Sequence, residues 1–205
     1  MKVKVCGMRE PVNIALLAEL QVDWMGFIFA ERSPRYAGGL TPDVCRVVPG
    51  NIGRVGVFVD TPFPGMLEKA VEYGLNSIQL HGEEPPDVCK SLRKEGFEVI
   101  KAFPVAVAED FCPAQAYEGS CDYFLFDTKT PLRGGSGIPF DWNLLRHYTG
   151  DTPFLLSGGV GTDSVAEIKG INHPKLAGVD LNSRFEVSAG LKDIALIRRF
   201  IEELK

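Results

Sequence analysis

The stretch FLLSGGVGTDSVAEIKGINHPKLAGVDLNS, residues 154–183, holds one full copy of the pattern that runs through this chain. A short apolar run, Phe154–Leu156, breaks at Ser157-Gly158-Gly159. An amphipathic stretch follows at Ser164–Ile168, and a second β-rich run, Gly178–Leu181, ends the unit. Apolar residues at three- and four-residue spacing mark helices, and short β-branched runs bounded by turn residues mark strands. Strand, turn, helix and strand in that order form a crossover that lays its two strands parallel.

Working outward, the same strand signal recurs at Lys2–Val5, Trp24–Phe29, Arg54–Val59, Ser77–Leu80, Val99–Phe103 and Tyr123–Phe126. Helical spacing lies between these runs at Val12–Leu20, Met66–Tyr73 and Val88–Lys94, and again after the last strand at Leu191–Leu204. Ala106–Tyr117 reads as a weak helix interrupted by Pro113. Eight strands recur at about 25 residues, near the minimum for a crossover unit. An open doubly wound sheet usually carries five or six strands, so the pattern favours closure into an α/β fold, a single-domain (β/α)8 TIM barrel over residues 1–205.

The composition is that of an ordinary folded domain, 45% hydrophobic and 24% charged. Twenty-two Lys and Arg against 27 Asp and Glu leave a net charge of −5, which argues against nucleic acid as the main partner. No apolar run approaches the length of a membrane span, and the opening Met1–Cys6 is too short for a secretory signal. Cys6, Cys45, Cys89, Cys112 and Cys121 are odd in number and contain no C-x-x-C pair. That spacing fits neither a disulfide framework nor a metal site and places the chain in the reducing cytoplasm. Scattered apolar surface residues suit a monomer or a homodimer equally.

In such a barrel the site forms at the carboxyl ends of the strands. Those ends carry Cys6-Gly7, a loop from Glu31 to Tyr36, Asp60, His81-Gly82, Asp127-Thr128, Ser157-Gly158-Gly159 and Asp180-Leu181-Asn182-Ser183. Residues two apart share a strand face, so Cys6 goes with Lys4, His81 with Gln79, and Phe103 with Lys101. An inward lysine in a barrel core needs a carboxylate, and Asp180 is the expected partner of Lys4. Gly158-Gly159, with Thr162 and Asp163 as candidate caps, reads either as a tight turn or as an anion cradle; its place after the seventh strand favours the cradle. Cys6 and Asp127 admit two readings each. Cys6 is a proton-accepting thiolate or a small buried apolar residue, and Asp127 is an acid or a carboxylate bonding loop amides.

Longer stretches narrow these alternatives. Lys4-Val5-Cys6-Gly7-Met8, Gly26-Phe27-Ile28-Phe29, Ser33-Pro34-Arg35-Tyr36, Ile78-Gln79-Leu80-His81-Gly82-Glu83, Leu125-Phe126-Asp127-Thr128 and Gly178-Val179-Asp180-Leu181-Asn182-Ser183 appear in that order. Together with Gly134–Gly137 and Gly190-Leu191-Lys192-Asp193 they resemble the phosphoribosylanthranilate isomerase family of tryptophan biosynthesis over essentially the whole chain. The resemblance implies an Amadori rearrangement of a phosphosugar substrate with no cofactor and no metal. It implies Asp127 as general acid, Cys6 as general base, Arg35 as the group that recognises the anthranilate carboxylate, and His81 as a lining residue. Gly158, Gly159, Asn182 and Ser183 fall in the implied phosphate loops.

Two further expectations attach to this reading. A thiol of ordinary pKa is only a few per cent ionised at neutral pH, so nearby positive charge, with Lys4 the candidate, is expected to assist Cys6. The Ser33–Leu40 loop, with Gly38-Gly39, is expected to close over substrate. The chain departs from the family pattern at Arg184, where glycine is common, and at Ile138-Pro139, where the family commonly has lysine. Other phosphate-binding barrel enzymes fit less well. An epimerase needs metal-binding residues at several strand ends, and a synthase of this group is usually longer. A non-catalytic phosphosugar-binding barrel is the remaining alternative, against which the presence of both Cys6 and Asp127 argues.

Overall fold

The computed structural model of the protein describes residues 1–129 and 139–205, so Gly134–Gly137 and Ile138 lie outside the described residues. Eight parallel strands close into a barrel in chain order. They are β1 (Lys2–Cys6), β2 (Trp24–Ile28), β3 (Gly53–Phe58), β4 (Ser77–Leu80), β5 (Glu98–Val105), β6 (Tyr123–Thr128), β7 (Phe154–Leu156) and β8 (Leu176–Leu181). The helices are α1 (Pro11–Ala18), α2 (Pro42–Arg46), α3 (Phe63–Tyr73), α4 (Pro86–Lys94), α5 (Val165–Gly170) and α6 (Ile194–Leu204). Proline in the first two positions starts α1, α2, α3 and α4. Its fixed φ suits a first turn, and the N–H it lacks would have no partner there. No helix among the described residues is long and apolar enough to cross a membrane.

The eight expected strands are all present, with small differences at their ends. Ala108–Tyr117 winds as a 3₁₀ helix around Pro113, not as an α-helix. The last helix starts later than expected. Asp193 caps it by accepting from the Leu196 N–H at 2.9 Å. Leu191 and Lys192 belong instead to a small antiparallel hairpin, β9 (Glu186–Ser188) with β10 (Leu191–Lys192).

Side chains alternate along each strand between the barrel interior and the helical shell. Cys6, Val55, Val57, Ile100, Ala102, Leu125 and Leu155 fill the interior, while Val5, Phe27, Leu80, Phe126 and Leu156 join the outer core beneath the helices. Lys101 and Phe103 share a face as expected, but it is the outer one. Phe103 packs in the shell, and Lys101 pairs with buried Glu84 at 3.2 Å while donating to the Gly82 carbonyl at 2.6 Å.

The barrel closes where the first strand meets the last. Lys4 lies opposite Asp180 in the β1–β8 register, and its Nζ is 2.7 Å from Asp180 Oδ1 with both side chains buried. The expected pairing is therefore present. Breaking it from one side strands a charge in the interior, which costs about 3–5 kcal/mol. Asp180→Ala should lose about that much stability in urea unfolding, while a Lys4→Met/Asp180→Leu double variant should recover most of the loss. An Asp180→Ala protein as stable as wild type would refute a structural role for the pair.

Candidate active site

A cavity of about 1070 Å³ opens at the carboxyl ends of the strands, lined among others by Cys6, Arg35, His81, Asp127, Gly158 and Asn182. Cys6 ends β1 and points inward because it is in phase with Lys4. Space for its sulfur comes from β2, where a Cβ added at Gly26 would come within 2.8 Å of Cys6 Sγ. Burial pushes the thiol above its ordinary pKa, against the pull of Lys4 and Lys192, which favour the thiolate. Lys4 pulls in the expected direction, but burial and the Asp180 charge beside it outweigh that pull.

Asp127 ends β6 and is nearly buried. Desolvation and the Asp180 charge raise its pKa to about 6, against the Thr128 N–H and the Ser157 hydroxyl, which stabilise the carboxylate. The Thr128 N–H lies 2.9 Å from Asp127 Oδ1. Asp127 therefore bonds a loop amide while its carboxyl is held close to neutral pH. His81 Nε2 stands 3.7 Å from Asp127 Oδ2, and its Nδ1 contacts Gln79 Nε2 at 2.9 Å. The two ends of the site are linked through the barrel. Lys4 contacts Asp180 Oδ1, and the Ser157 hydroxyl donates to Asp180 Oδ2 at 3.4 Å and also bonds Asp127.

Arg35 lines the cavity from the loop after β2. That loop is tied to its strand, because Ala37 N–H donates to Ile28 O at 2.8 Å, Leu40 N–H to Ala37 O at 2.9 Å, and Tyr36 bridges Ile28. The Nε–Nη2 edge of Arg35 grips Glu186, with Nη2 2.7 Å from Oε2. Glu186 Oε1 also accepts from Lys192 Nζ at 2.7 Å. Asn182 faces this cluster, its Oδ1 accepting from Lys192 Nζ at 2.8 Å.

On the opposite side, Gly158 and Gly159 follow β7 with φ of +76° and +74°. A Cβ at Gly158 would meet Thr128 N at 2.6 Å and Asp127 Oδ1 at 3.1 Å. Thr162 and Asp163 do not cap the following turn; Ser164 does, its hydroxyl contacting the Gly161 N–H at 3.0 Å and the Gly161 carbonyl at 2.6 Å. Asp163 pairs with Arg184 at 2.7 Å, and Arg184 also donates to Gly159 O at 2.8 Å. The arginine that departs from the family pattern thus laces the loop after β8 to the loop after β7, beside Ser183. Among the described residues no group of three or more His, Cys, Asp or Glu is placed to hold a metal ion.

A family model described as N-(5'-phosphoribosyl)anthranilate (PRA) isomerase matches residues 3–203. The chain belongs to the phosphoribosylanthranilate isomerase family. A relative of that name from Parabacteroides distasonis is 48% identical, the alignment covering 100% of this chain and 93% of the relative. The crystal structure of the isomerase from Thermotoga maritima aligns with a TM-score of 0.84 at 34% identity, covering 100% of this chain and 98% of that one. An isomerase solved in complex with reduced 1-(o-carboxyphenylamino)-1-deoxyribulose 5-phosphate aligns with a TM-score of 0.82 at 30% identity, over 100% and 98% of the two chains.

In this phosphoribosylanthranilate isomerase family member, sequence reading missed Glu186 and Lys192. Both lie in the β9–β10 hairpin, where strands of two and three residues show no periodicity. The Gly190–Asp193 motif was the only signal near them.

Gly158 gives the family site a direct test. Alanine there forces a side chain into a left-handed backbone and against Asp127, and a misplacement of about 1 Å can cost about 10²-fold in rate. Gly158→Ala should lose turnover on that scale. Gly50→Ala, with nothing within 4 Å, should keep wild-type turnover. Equal activity in the two variants would show that Asp127 does not depend on this contact.

Proposed function

We propose that the chain, acting as one barrel over residues 1–205, isomerises N-(5'-phosphoribosyl)anthranilate to 1-(2-carboxyphenylamino)-1-deoxyribulose 5-phosphate in the cytoplasm, as a monomer or homodimer. The observation that carries the residue assignment is the pairing of a raised, buried Asp127 with an inward-facing Cys6 on one cavity. Asp127 donates its proton to the furanose ring oxygen. The C1′–O bond then breaks, and the nitrogen lone pair forms a protonated imine. Cys6 as thiolate takes the C2′ proton, a C1′–C2′ double bond forms, and the iminium electrons return to nitrogen. The resulting enolamine gains a proton at C1′ and loses its hydroxyl proton to give the ketone. Only protons move, so the sequence balances without oxidant or reductant.

Arg35 receives the anthranilate carboxylate through the guanidinium edge that Glu186 leaves open. Gly158, Gly159, Asn182 and Ser183 receive the phosphate with backbone N–H groups, glycine allowing close approach. His81 lines the sugar beside Asp127.

The active form carries one proton shared between two sites, on Asp127 and off Cys6. One-proton enzyme predominates between the Asp127 value of about 6 and the raised Cys6 value, so kcat/KM should be level across that interval. It should fall below about pH 6, where Cys6 and Asp127 are both protonated, and again in alkali, where both are ionised. These limbs belong to the pair and not to either residue alone. General acid–base groups are each worth about 10²–10⁴-fold. Following loss of anthranilate fluorescence as substrate is turned over, Cys6→Ala and Asp127→Asn should each fall by at least about 10²-fold. Turnover that survives Cys6→Ala would remove Cys6 as base.

A further inference from the structure

Glu186 and Lys192 take no part in the steps above, yet both are buried against the groups that perform them. The chain after Cys6 is wedged between their partners, since a Cβ at Gly7 would meet Arg35 Cδ at 2.7 Å and Asn182 Oδ1 at 3.1 Å. Lys192 has a fully buried ammonium held between Asn182 Oδ1 at 2.8 Å and Glu186 Oε1 at 2.7 Å. Its backbone is fixed from α1, where Asn13 accepts from the Lys192 N–H and donates to the Lys192 carbonyl, each at 2.8 Å. Glu186 in turn takes Arg35, Lys192 and the Gly190 N–H at 3.0 Å.

The charges around Cys6 come from β1 (Lys4), β8 (Asp180), β10 (Lys192) and the loop after β2 (Arg35), with Glu186 behind the last two. Asp180 neutralises Lys4, and Glu186 is shared by Arg35 and Lys192. Three cations against two carboxylates leave one positive charge. The incoming carboxylate is drawn to Arg35 and cancels that surplus, and without Lys192 the sum beside Cys6 would turn negative. A thiolate beside a carboxylate is disfavoured, and a buried cation offsets that cost.

We propose that Lys192 is a positioning residue which, through Glu186, turns Arg35 edge-on to the substrate carboxylate and supplies the uncompensated charge that favours the Cys6 thiolate. The inference rests on the reading of Cys6 as the base. Glu186 satisfies the Nε–Nη2 edge of Arg35 and so leaves its Nη1 side for substrate. Without Lys192, Glu186 faces Arg35 alone, and the pair is electrically neutral.

The experiment follows alkylation of Cys6 by iodoacetamide against pH, read by mass spectrometry on the Cys6 peptide, beside kcat and KM on the full chain. Lys192→Met should move the Cys6 alkylation midpoint up by about one pH unit and lower kcat/KM about tenfold. Lys192→Arg should restore most of both. Glu186→Gln keeps the shape and removes a negative charge, so it should move the midpoint down while raising KM through a misaligned Arg35. An unchanged midpoint in folded Lys192→Met overturns the inference. Should that variant fail to fold, an unchanged midpoint in Glu186→Gln overturns it equally. If wild type keeps its turnover after Cys6→Ala, the base assignment itself has failed, a result separable from either.

Discussion

The contact between Lys4 and Asp180 is the constraint on which the rest of this molecule turns. It sits at the seam where β1 pairs with β8, the one junction that closes the barrel between distant parts of the chain. A slip of one residue would move every side chain of a strand to the opposite face. It would carry Lys4 into the apolar shell and Cys6 out of the cavity. Buried ion pairs are poor sources of net stability, because desolvation consumes most of their attraction. Their value here is specificity of register. The same carboxylate also reaches Ser157 and adds to the burial that raises Asp127, so the device that fixes the fold also acts on the acidity of the site.

The barrel was legible because its signal is repetitive and each strand ends in a recognisable break. β4 and β7 match their expected bounds, and prolines mark four helix starts. Position at a strand end placed Cys6 and Asp127 on the cavity, while their expected roles came from the family resemblance and not from their positions. The hairpin after β8 was not legible. Strands of two and three residues carry no period, and Leu191-Lys192 reads as the first turn of an amphipathic helix until the Asp193 cap is seen. The side-chain partner of Asn182 was not legible either. The direction of that side chain is set by Lys192, ten residues away, and that in turn by Asn13 on α1. Chains of side-chain contact across three elements leave no local trace.

Burial acts in the same direction on both groups of the reaction and with opposite consequences. It raises Asp127 toward neutrality, which suits a proton donor, and raises Cys6 away from it, which hinders a proton acceptor. A dry cavity alone would therefore make a good acid and a poor base. The neighbouring charges act unequally. Asp180 reinforces burial at both groups, while Lys4 and Lys192 pull Cys6 toward the thiolate. One cavity thus raises a carboxyl group to about 6 and sets lysine charge against the burial of a thiol.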